Sequence, residues 1–157
     1  MLHPKVVLAP TDFSEPATDA TETAASIASK YGAVLLLVHV VPALPKLPAT
    51  VSLFHDGEYE KQLRADAVVR MAELTNTHAR NGLSVRSEVG VANDVGMEIV
   101  RISEHQGADL IVIATHGMTG WNTFVFGSVA EKVMRLSSCA VLVTKPPQAA
   151  KQAGKSR

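Results

Sequence analysis

The chain has 157 residues, enough for one domain with a substantial core, and its 46% apolar content argues against disorder. Fifteen basic and fifteen acidic residues cancel, so nothing points to a nucleic-acid surface, and runs such as Val34 to Val38 are far too short to cross a bilayer. A single cysteine, Cys139, excludes an internal disulfide and suits a reducing compartment; with no secretory apolar segment after Met1, a cytoplasmic setting is expected.

Val6 to Ala9 reads as a short strand ended by Pro10-Thr11-Asp12-Phe13-Ser14. Ser14 suits an N-cap, with Pro16 tolerated in the first turn. The helix shows Ala17, Ala20, Ala24, Ile27, Ala28 and Tyr31 on one face and stops at Gly32. Ala33 to Val41 is a second strand, apolar apart from His39, which reads as a core histidine. Pro42, Pro45 and Pro48 then resist helix as far as about Asp56, a loop length typical of lids or binding segments.

From Gly57 to Asn81 the spacing of Leu63, Ala67, Met71, Leu74 and His78 is helical, closed by Gly82. Leu83 to Val89 alternates apolar and polar residues, as expected of an edge strand. Gly90-Val91-Ala92 is read as a turn into a helix capped by Asn93 or Asp94, with Val95, Ile99 and Ile102 inward and Gly107 at its end. The strand from Asp109 to Ala114 follows, then a loop with His116, Gly117 and Gly120. A helix over Gly127–Leu136 and a strand over Ala140–Thr144 complete the pattern. Cys139 reads as a buried structural thiol. Residues 147–157 read as a flexible basic tail behind a domain spanning 1–146.

Five strands alternating with four helices predict one doubly wound, parallel α/β sheet with right-handed crossovers. Such sheets bind ligands beyond the carboxyl ends of their strands, where the strand order reverses. Two strand–helix loops stand out, Pro10–Ser14 and Ala114–Ser128. The second is a strand–glycine loop–helix unit, which aims free backbone N–H groups at one point and suits a phosphate. Two readings are open for its glycines: Gly117 and Gly127 admit a ligand to the backbone, or they only turn the chain. Ser128 could cap its helix, donate to a phosphate, or both. Asp12 could cap with Ser14 or bind a ligand, and His116 could touch a phosphate or brace the loop. There is no Walker loop, no G-x-G-x-x-G, no G-x-S-x-G and no histidine pair at metal-ligand spacing.

Val-Leu-Ala-Pro-Thr-Asp-Phe-Ser (7–14), Leu-Leu-Leu-Val-His-Val-Val (35–41), Gly-Ala-Asp-Leu-Ile-Val-Ile-Ala-Thr-His-Gly (107–117), Gly-Ser-Val-Ala-Glu-Lys-Val (127–133) and Cys-Ala-Val-Leu-Val-Thr-Lys (139–145) resemble the universal stress protein family, in order and from Lys5 to Lys145. The resemblance implies sheet order 3-2-1-4-5, with strands one and four adjacent at the switch point. The motif G-x2-G-x9-G-[ST] of the family's ATP-binding branch is similar to Gly117, nine residues, Gly127 and Ser128, with Ala114 in place of its first glycine. That resemblance implies adenine held by Asp12, Val40 and Ile113, and ribose and phosphates held by Gly117, Gly127, Ser128 and Val129. Pro10, Thr11 and Ala114 complete the expected site. It implies a nucleotide-dependent regulator, with Mg2+ or Mn2+ held mainly by the phosphates, and a homodimer through the edge strand 140–144. The rival readings are a slow ATP hydrolase and a dimeric interaction module that binds no nucleotide. No base or lysine is evident beside the phosphate loop, which weighs against turnover.

Overall fold

Alternation of buried side chains along the strands organises the molecule, for which a computed structural model describes residues 3–43, 56–115 and 127–145. The elements are β1 (Val6–Pro10), α1 (Glu15–Tyr31), β2 (Val34–Pro42), α2 (Asp56–Arg80), β3 (Val85–Ala92), α3 (Val95–His105), β4 (Leu110–Ala114), α4 (Ser128–Leu136) and β5 (Ala140–Thr144). All pairings are parallel, in the order β3-β2-β1-β4-β5. Val7, Ala9, Leu35, Leu37, Leu110 and Val112 pack with Ala24 and Ala28 of α1 and Met71 of α2. Their neighbours Leu8, Leu36, Val38, Val40, Ile111 and Ile113 face Ile99 and Ile102 of α3 and Ala130 and Val133 of α4. A period of two with both faces apolar thus appears in sequence as an unbroken hydrophobic run.

The helix ends follow local chemistry. Ser14 Oγ accepts from Ala17 N at 3.4 Å, and Gly32 takes φ 63° so that Ala33 N reaches Ala28 O at 2.9 Å. Asp94, rather than Asn93, caps α3 by accepting from Met97 N at 3.1 Å. Several expectations are corrected. Tyr31 is exposed instead of sharing the inner face of α1, and in α4, where the spacing of Val129, Val133 and Leu136 predicts one apolar face, Val133 is buried with Ala130 while Leu136 stays exposed. Cys139 is half-buried, and burial pushes its thiol above the usual range. β3 does not turn at Gly90 but runs to Ala92, paired with β2 up to Pro42. The missing side chain has a use there: a Cβ on Gly90 would lie 3.2 Å from Glu98 Oε1 and 3.3 Å from its Cγ. The proline-rich stretch 44–55, and the tail from 146 onward, lie outside the described residues.

The start of β1 is tied to β4 by Asp109, whose Oδ2 accepts from Lys5 N at 2.7 Å and Val6 N at 3.0 Å. These two backbone amides hold its carboxyl below the ordinary value of 3.8. Asp109→Ala should cost about 1 kcal/mol, the scale of a charge-assisted bond discounted for exposure. A depressed carboxyl stabilises above its ordinary pKa and loses that contribution as pH falls through the lower folded value. The gap between parent and variant in urea unfolding should therefore close below about pH 3.8. A gap that persists unchanged in acid would assign the loss to packing instead.

Candidate functional site

β1 and β4 are adjacent, and the chain crosses from β1 to β2 on one side and from β4 to β5 on the other. The connections that leave their carboxyl ends therefore run in opposite directions, and this is the switch point at which the expected residues should gather. Pro10 closes β1, and Thr11 N still donates to Val38 O at 2.8 Å. Beyond it the backbone folds on its own side chains. Thr11 Oγ1 accepts from Phe13 N at 3.0 Å, while Asp12 Oδ1 accepts from Ser14 N at 3.0 Å and Ser14 Oγ at 2.5 Å. Ser14 thus caps α1, and Asp12 assists through Oδ1 by holding Ser14.

Between them Phe13 adopts φ 64°, a left-handed conformation uncommon for a bulky residue. Its ring lies 4.6 Å from that of His39, and the Arg70 guanidinium sits 3.9 Å above it. His39 Nδ1 donates to Thr11 O at 2.7 Å, so the histidine braces this turn from the neighbouring strand. Nothing in the sequence marks Phe13 as left-handed; the local bonds from Thr11 and Asp12 impose it.

Val40 and Ile113 are each 6% exposed, and half-buried Val129, Ala92 and Val95 pack on the same apolar cluster. The structure thus brings Val40, Ile113 and Val129 together at the carboxyl end of the sheet, on the α3–α4 side. Ala114 ends β4 opposite Thr144. Val95 packs inward as its helical spacing predicts, whereas Ala92 was not foreseen, because the strand was expected to end earlier.

The chain leaves the sheet at Thr115 and returns at Gly127, whose N–H donates to Thr115 O at 2.8 Å. Gly117, His116 and Gly120 fall within 116–126, outside the described residues. The N-cap of α4 is Gly127, with no side-chain cap, and Ser128 is the exposed first helical residue. A cap by Ser128 is thereby corrected. The amides of Ser128, Val129 and Ala130 have no acceptor within the helix, which is what an anion site requires of its donors.

A separate cavity of about 300 Å³ lies on the opposite side of the sheet, between α1 and α2, lined by Thr11, Phe13, Thr21, Arg70, Leu74 and others. Among the described residues it shares only Thr11 with the expected site. Among the described residues no cluster of histidine, cysteine or carboxylate side chains could hold a metal, and no helix is long and apolar enough to cross a membrane.

A five-stranded parallel sheet in this order, with an α4 N-terminus that no side chain of its N-cap residue closes, beside an apolar cluster, defines a doubly wound α/β protein of the 3-2-1-4-5 class. The universal stress protein family model matches residues 4–145, and the chain belongs to that family. It is 34% identical over 151 residues to universal stress protein MJ0531 of Methanocaldococcus jannaschii, covering 94% of this chain and 85% of that protein. The solved structure of MJ0577, from the same organism, superposes with a TM-score of 0.80 at 29% identity, covering 95% of this chain and all of that one. A universal stress protein from Archaeoglobus fulgidus, solved in complex with dAMP, shares the fold with a TM-score of 0.59 at 19% identity, covering 91% and 98% of the two chains.

Proposed function

We propose that this universal stress protein binds ATP and acts as a nucleotide-dependent regulator. The observation that carries the reading is the convergence of an apolar Val40–Ile113–Val129 surface with an uncapped helix N-terminus at the switch point. The apolar residues suit a base, and first-turn amides that have no acceptor within their own helix suit a phosphate chain. A relative of the same fold solved with dAMP adds support for an adenine ligand.

In this reading Val40 and Ile113 flank the adenine, and Asp12 contacts its edge. Gly117, Gly127, Ser128 and Val129 serve the ribose and phosphates. Mg2+ or Mn2+ is held mainly by the phosphates and water and neutralises part of their charge. The protein works in the cytoplasm as a homodimer joined through β5, and its output is recognition of a downstream partner rather than turnover.

ATP with magnesium should bind at roughly micromolar strength, the class value for several charge-assisted bonds in a concave site. Titration calorimetry measures this directly. Absence of heat and of any thermal shift at millimolar ATP would remove the proposal, and phosphate release at several per second would replace it with a hydrolase.

A further inference from the structure

Lys132 stands one turn into α4, directly after Ser128 on the same helix face. Its stem crosses to α3 over Gly96, where an added Cβ would lie 3.0 Å from Lys132 Cδ, 3.1 Å from Cβ and 3.2 Å from Cγ. Its ammonium ends on the carboxylate of Asp94, the N-cap of α3. The side chain therefore runs from Gly96 back toward Asp94, that is, toward the N-terminus of α3. Both helices leave the carboxyl ends of their strands, so this is the end of the sheet that carries Gly127 and Ser128.

Sequence spacing put no lysine beside the phosphate loop, yet the fold brings an ammonium to the mouth between the first turns of α3 and α4. Gly96 is a poor helix former in α3, and its bare backbone is what admits the lysine stem. Asp94 divides its two oxygens: Oδ1 accepts from Met97 N, and Oδ2 holds Lys132. The cap of α3 can thus survive if the lysine leaves. Lys132 and Asp94 side chains are 32% and 43% exposed, so a ligand phosphate can compete for the ammonium.

We propose that Lys132 is a polyphosphate-binding residue of the switch-point site, held by Asp94 until the distal phosphate of a nucleoside di- or triphosphate takes its ammonium. The inference rests on the ATP-binding reading and deepens it: beside the contacts to the base, Lys132 selects for the length of the phosphate chain. Gly96 and Asp94 are positioning residues that aim the lysine.

The test is calorimetric titration of the full chain with adenosine and with Mg-ATP, for parent, Lys132→Met and Asp94→Asn, each first checked for folding by circular dichroism. Methionine keeps the stem over Gly96 and removes only the charge, and asparagine caps a helix as well as aspartate does. Lys132→Gln serves as a second neutral variant should the first fold poorly. Lys132→Met should weaken ATP by about tenfold, the value of one charge-assisted bond, and leave adenosine unchanged. Asp94→Asn should tighten ATP severalfold, because it frees the cation and removes a nearby anion. Equal weakening of ATP and adenosine, or no change in ATP, would overturn the role of Lys132 while leaving the nucleotide site intact. A parent that binds neither ligand would overturn both.

Discussion

Gly127→Val is expected to abolish measurable ATP binding while leaving a folded protein. The reason is spatial rather than conformational. Gly127 has φ −58° and ψ 146°, which any residue adopts without strain. A Cβ there, however, would lie 3.1 Å from the Thr115 carbonyl oxygen, the same atom that accepts the Gly127 N–H at 2.8 Å. Valine adds two further methyl groups to that contact, so the start of α4 must move away and give up the bond. Overpacking of this kind costs about 1–3 kcal/mol. The displaced element carries the amides of Ser128 and Val129, so their aim at the phosphates is lost with the bond. Circular dichroism and a thermal melt would establish folding, and calorimetry with Mg-ATP would read the binding. A folded variant that binds like its parent would show that the phosphates do not sit at the N-terminus of α4.

How far the sequence could foretell this arrangement depends on the range of each interaction. The strands were legible because both faces of the sheet are covered, which makes Val34 to Val38 and Leu110 to Ala114 continuous apolar runs. Ser14 and Gly32 were legible because capping is settled within a few residues. The sheet order and the residue roles came from the family resemblance, since periodicity cannot order strands. Gly90 misled because a glycine in a strand and a glycine in a turn look alike. What separates them is Glu98 and Ile102, brought close only when α3 packs. The pairing of Lys132 with Asp94 spans 38 residues and two helices. No local spacing encodes it, although Gly96 within a helix was a visible irregularity.

The other large effect expected concerns assembly, and the register of β5 decides where to look. β5 is an edge strand on which Leu142 is 39% exposed, and an apolar edge of this kind invites pairing. Two-fold pairing of β5 with its copy is the simplest closed solution. Thr144 O accepts from Thr115 N at 3.0 Å, so the backbone polar groups of Thr144 face β4. Along a strand these groups alternate in direction, so those of Leu142 also face β4, opposite Val112, while those of Val141 and Val143 face the free edge. Proline at Leu142 would remove a bond inside the sheet and should give an aggregating, destabilised protein. Proline at Val143 removes only an outward donor, a position where sheets tolerate it. With the proposed β5 dimer, Val143→Pro should therefore remain folded and be monomeric by light scattering, whereas the parent should run as a dimer at the same concentration. If Val143→Pro keeps its circular dichroism and still runs as a dimer of unchanged stability, β5 is not the interface, because Val143 is one of only two residues of the strand, with Val141, whose N–H groups face the free edge.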